Sequence, residues 1–204
     1  MRPAYSHITV RARQVILAIC ISLSLSAQVT DRELFDAYQR EDMSVWKEYV
    51  DSNIDLAYEY GYCGYIVAEA KKDGKEALLP EAKRYVHQFK AHVATSKDRL
   101  PKGHYEMYMS AVYVYELRLH ESIHPVKSMN LAKEATKLAP NDPLVLSYYG
   151  TCLFYAPKPF GSKAEALKWF EKAEGFFKDK KWDLCWQKAA NEMYIRQCKE
   201  KLNP

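Results

Sequence analysis

His120-Glu121-Ser122-Ile123-His124 is the run in this sequence whose residue types and spacing match a catalytic device. Two histidines one helical turn apart can hold a zinc ion while the glutamate between them activates a bound water, as in zinc peptidases. That chemistry needs both imidazoles on one helical face. Pro125 follows directly and disfavours the helical conformation at His124. The expectation is therefore a solvated turn with incidental metal affinity and no built metal site, and a zinc metallopeptidase using His120, Glu121 and His124 is the alternative. No third ligand stands at a recognisable spacing, Glu134 being only nominal. His87 and His92 share a face poorly, no Ser-His-Asp or Cys-His arrangement follows from spacing, and no glycine loop could cradle a phosphate. The chain reads as a non-enzyme with no cofactor.

Tyrosine occurs 16 times. Tyr105, Tyr108, Val112 and Tyr115 fall at i, i+3, i+7 and i+10, one stripe of a helix. A phenol offers apolar area and a hydroxyl at little entropic cost, which suits a binding surface. The same stripe would serve equally well as packing against a neighbouring helix.

The elements that carry these residues are helices, since no stretch alternates apolar and polar residues as a half-buried strand would. Thr30 with Glu33, and Ser162 with Glu165, have capping-box spacing, and Asp142-Pro143 offers an N-cap followed by a pre-set first residue. Breaks are expected at Lys72-Asp73-Gly74, Pro101-Lys102-Gly103, Pro140-Asn141-Asp142-Pro143 and Pro157 to Gly161. Ala166, Phe170, Ala173 and Phe177 form one apolar face, and Trp186, Ala190 and Met193 another on a last helix from Trp182 to Leu202.

Gly150, Ala166-Leu167, Phe170-Glu171-Lys172 and Ala173 resemble the tetratricopeptide repeat, a pair of antiparallel helices of about 34 residues. Gly150 and Ala166 lack bulk where two helices approach, and Phe170 fills the space beyond them. Ser128, Ala132, Ala135, Leu138 and Pro140 look like the second helix and terminator of the preceding unit, with Ala111 the small residue of its first helix. Tyr60-Gly61-Tyr62-Cys63-Gly64-Tyr65 marks a vaguer, earlier unit. Gly150 to Ala166 is longer than the repeat's usual spacing, and Leu146 stands where the repeat carries Trp.

The layout is similar to exported tetratricopeptide-like proteins of Gram-negative bacteria. The resemblance implies an all-α fold, antiparallel helix pairs stacked as a short right-handed solenoid. It covers a degenerate unit at 53–96, repeats at 103–140 and 143–178, and a capping helix at 182–202, all in one domain from 28 to 204. First helices of such repeats line the concave surface, which makes Tyr105, Tyr108, Val112, Tyr115, Ser147, Thr151 and Phe154 the candidate groove. The implied function is a non-catalytic scaffold or adaptor for a protein or peptide. A glycan-binding surface protein is a further alternative, because aromatic faces also stack on sugars.

Arg2, Arg11 and Arg13 precede an apolar run from Val15 to Leu25 that ends in Ser26-Ala27-Gln28, the layout of a secretory signal peptide spanning 1–27. The run is too short to cross a bilayer, which takes about 20 residues. The expected location is the periplasm or the exterior, with no membrane span after cleavage. Losing those three arginines takes the basic count from 30 to 27 against 26 acidic residues, a net charge of +1. No basic stripe then argues for a nucleic acid partner. Cys63, Cys152, Cys185 and Cys198 survive cleavage and permit three full pairings, from which a shared continuous helix would exclude Cys185–Cys198. Buried free thiols are the expected state.

Overall fold

Side-chain caps start many of the helices. In the computed structural model, which describes residues 29–121 and 125–202, Thr30 opens α1 (Asp31–Gln39) by exchanging hydrogen bonds with Glu33. Asp42 caps α2 (Met43–Ser52) and Asp55 caps α3 (Leu56–Glu69). α4 (Leu79–Ser96), α5 (His104–Arg118) and α6 (Pro125–Leu138) follow, then α7 (Pro143–Tyr155), capped by Asp142. Ser162 caps α8 (Lys163–Phe176), its hydroxyl accepting the Glu165 N–H at 3.4 Å, and only that half of the expected box forms. α9 (Trp186–Leu202) ends the array. The proposed leader at 1–27 lies outside the described residues.

Every regular element among the described residues is helical, and the four expected breaks all fall between helices. Consecutive helices pack as adjacent pairs, most extensively α7 with α8 and α5 with α6, followed by α8 with α9 and α3 with α4. This is an all-α helical-repeat fold. No described helix is long and apolar enough to cross a membrane. α1 and α2 form a pair ahead of the units read from the sequence.

Small residues set the helix crossings. Ala111, Ser128, Ala135, Ala166, Phe170 and Ala173 are buried, while Pro140 is exposed in the turn after α6. A Cβ built on Gly150 would stand 2.7 Å from the Phe170 ring, so α7 and α8 approach as closely as a glycine permits. A polar knot joins the two best-packed pairs. Ser110 donates to the Ser128 carbonyl at 2.8 Å, Ser128 donates to the Ser110 carbonyl at 3.1 Å, and Tyr148 donates to the Ser110 hydroxyl at 2.8 Å. All three residues are buried. Tyr148→Phe removes one donor and leaves Ser110 with its other partners, so urea denaturation should show a loss of about 1 kcal/mol.

α9 corrects the sequence reading twice. A short 3₁₀ turn spans Lys180–Trp182 and the helix starts only at Trp186, which leaves Cys185 ahead of it. Its buried face is Asn191, Ile195 and Cys198, whereas Trp186, Ala190 and Met193 are half-exposed. The reason is a backbone acceptor: Asn191 donates its amide to the Phe170 carbonyl at 3.0 Å, which lets a polar residue occupy the crossing with α8.

Candidate functional site

The first histidine of the zinc-like motif stands outside the helix. α5 ends at Arg118, and His120 follows it with φ +59, in the left-handed region. Its Nε2 lies 3.1 Å from the Lys71 ammonium, and Glu121 is engaged by Lys83 at 3.2 Å and His87 at 3.1 Å. His124 lies outside the described residues. No group of three or more metal-ligating side chains occurs among the described residues.

The tyrosines converge instead. Tyr60 on α3 has ring centroids 6.2 Å from Tyr108 and 6.2 Å from Tyr115 on α5, 5.8 Å from Tyr148 on α7, and 5.6 Å from Trp186 at the start of α9. One side chain can meet four rings on three later helices only if α3, α5, α7 and α9 bend around a common inner face. Trp186 extends that face to the N-terminal pair, with Tyr38 at 5.8 Å and Trp46 at 5.4 Å. Gly61 makes room for this: a Cβ there would lie 2.5 Å from the Trp46 ring and 2.9 Å from the Trp186 ring. Trp46 is anchored by its indole N–H, which donates to the Leu34 carbonyl at 2.8 Å.

Further along α9, Tyr194 stacks on Phe170 at 5.2 Å with an interplanar angle of 8°, and its hydroxyl meets that of Tyr155 at 3.3 Å. Tyr38, Tyr60, Cys152, Trp186 and Tyr194 are half-buried, and Tyr155 is 67 % exposed. These side chains form an open aromatic track over a closed aromatic layer. Burial, the dominant cause in each case, raises the Tyr60, Tyr115, Tyr148 and Tyr194 phenols above their ordinary range and pushes the Cys152 thiol up to about 11. At neutral pH these four phenols and the Cys152 thiol are uncharged. The track's chemistry is apolar contact with hydroxyl donation and acceptance. The four cysteines among the described residues are free.

The stripe read from the sequence is split by this arrangement. Tyr108 lies edge-on to Phe89 of α4 at 5.7 Å, and Tyr115 donates its hydroxyl to the Tyr60 carbonyl at 2.9 Å. Tyr108, Val112, Tyr115, Ser147 and Phe154 are buried, so they support the inner face from beneath. Tyr105 is half-buried under the Lys97 ammonium at 5.0 Å, and half-buried Thr151 spends its hydroxyl on the Ser147 carbonyl at 3.1 Å. Half-buried Tyr60, Trp186 and Tyr194 and exposed Tyr155 were not among the groove residues read from the sequence. For Tyr60 and Trp186 the signal was the alternation of glycine with aromatics from Tyr60 to Tyr65, because Gly61 leaves the space that the Trp186 ring enters.

No family model, no curated protein and no solved structure matches this chain.

Proposed function

We propose that this chain is an exported, tetratricopeptide-like scaffold that holds an extended segment of a protein partner along the track formed by Tyr60, Tyr155, Trp186 and Tyr194. The observation that carries the reading is the convergence of aromatic side chains from α3, α7 and α9 on one inner face, with Tyr155 left open to solvent. Partly open aromatic rings backed by a rigid layer lose little entropy when covered, and phenol hydroxyls pair with the amide groups of an extended chain. The uncharged lining fits a recognition surface better than a site for acid–base chemistry.

A random peptide library displayed on phage, panned against the purified protein, tests this directly. Tyr155→Ala removes an exposed ring, so circular dichroism and melting temperature should stay unchanged while affinity for the selected peptides falls about tenfold. Retained affinity in Tyr155→Ala, or selection of no peptide at all, would sink the reading.

A further inference from the structure

The far end of the track carries two cations on one ring. The Lys163 ammonium lies 3.6 Å from the Phe154 ring centroid and the Lys201 ammonium 5.1 Å from the same centroid. Lys163 also donates to the Phe154 carbonyl, closing the C-terminal end of α7. Among the described residues neither ammonium has a carboxylate within ion-pair distance, whereas nearby Lys199 is paired with Glu171 at 3.2 Å. Desolvation, and then repulsion from Lys201, hold Lys163 below the ordinary lysine range. Exposed aromatics share this end: Tyr155 is 67 % exposed, and Phe160, in the turn that packs Gly161 against the Leu153 and Ala156 carbonyls, is 64 % exposed. Like charges gathered without a counter-charge are stabilised by an incoming anion.

α9 sets the distance from this point to the aromatic hub. Trp186 and Lys201 stand on the same helix, roughly 22 Å apart at 1.5 Å per residue. An extended chain covers that length in about seven residues.

Resting on the scaffold reading above, we propose that the partner segment is acidic at one end. An Asp or Glu side chain of the partner, about seven residues from the part that packs near Trp186, sits between the Lys163 and Lys201 ammonium groups while its apolar neighbours cover Tyr155. The site gives the bound segment a direction along α9, which the uncharged track alone does not.

The test uses peptides selected by the wild-type protein from a random twelve-residue library, with Lys201→Gln as the main variant because Lys201 does not close α7. The expected peptides carry Asp or Glu at one end and apolar residues along the rest. Fluorescence anisotropy should give about tenfold weaker binding to Lys201→Gln, and the same loss when the peptide acid is changed to its amide. The two changes together should cost no more than either alone. Lys163→Gln should behave alike wherever its circular dichroism matches wild type. Selected peptides without an acidic end, or equal binding by Lys201→Gln, would overturn the directional site and leave the scaffold reading standing. No selected peptide would overturn both. Lys201-dependent binding of heparin fragments or anionic phospholipid vesicles, combined with selected peptides that lack an acid, would reassign the lysine pair to a glycan or a membrane and refute the proposal.

Discussion

Gly150→Val should destabilise the protein by about 3 kcal/mol, read as a drop in the urea midpoint by circular dichroism. The first added carbon already falls 2.7 Å from a carbon of Phe170, which is itself fully buried on α8. Relief would require Phe170 to move, yet Tyr194 stacks on its face at 5.2 Å and Asn191 bonds to its backbone carbonyl. The clash therefore spreads from the α7–α8 crossing into α9 and the aromatic track. Pairing Gly150→Val with Phe170→Leu should recover part of the loss, because a smaller, more flexible side chain gives way. The two substitutions should couple by about 1–2 kcal/mol in a double-mutant cycle. Additive losses would mean that Gly150 matters for reasons other than the approach of Phe170.

That crossing was the most legible part of the chain. Gly150, Ala166, Phe170 and Ala173 announce a close helical approach by side-chain size alone, and the structure places all four there. The proline and glycine breaks were legible for a similar reason, since each acts through its own backbone. Less legible was anything that depends on which face of a helix meets which neighbour. On α9 the apolar spacing pointed to Trp186, Ala190 and Met193, but a backbone carbonyl on α8 drew Asn191 into the crossing instead. The tyrosine stripe on α5 failed as an open groove because α3 and α4 both press on that helix, Tyr60 from one side and Phe89 from the other. Periodicity identifies a buried or binding stripe but holds no information about what covers it. For the zinc-like motif, the helix ends at Arg118 and His120 takes a left-handed turn, while His124, where the effect of Pro125 was expected, lies outside the described residues.

Asp142→Ala should cost about 2–4 kcal/mol, because one carboxylate joins two units. Its Oδ1 accepts the N–H groups of Leu144 and Val145 at 2.9 and 3.3 Å, capping α7, while Oδ2 accepts from His104 Nε2 at 2.9 Å at the start of α5. Truncation strips the cap and leaves a buried imidazole without its partner. Burial works against the charge on Asp142, but the bonds from His104 and from the two amides outweigh it and hold the carboxyl below its ordinary value of 3.8. A depressed folded-state pKa adds stability that is fully present above the unfolded value near 4 and is lost as pH falls through the folded value. Asp142→Asn separates the two roles, since asparagine caps a helix about as well as aspartate but carries no charge. At pH 7 the Asn variant should be less stable than wild type by about 1–2 kcal/mol. As acid removes the wild-type charge, the difference should shrink between pH 4 and the folded pKa below it. Urea midpoints of the two proteins, measured from pH 7 downward, should converge. A constant gap across that range would assign the stabilisation to the cap alone and deny the charge-assisted bond from His104 any part in joining the units.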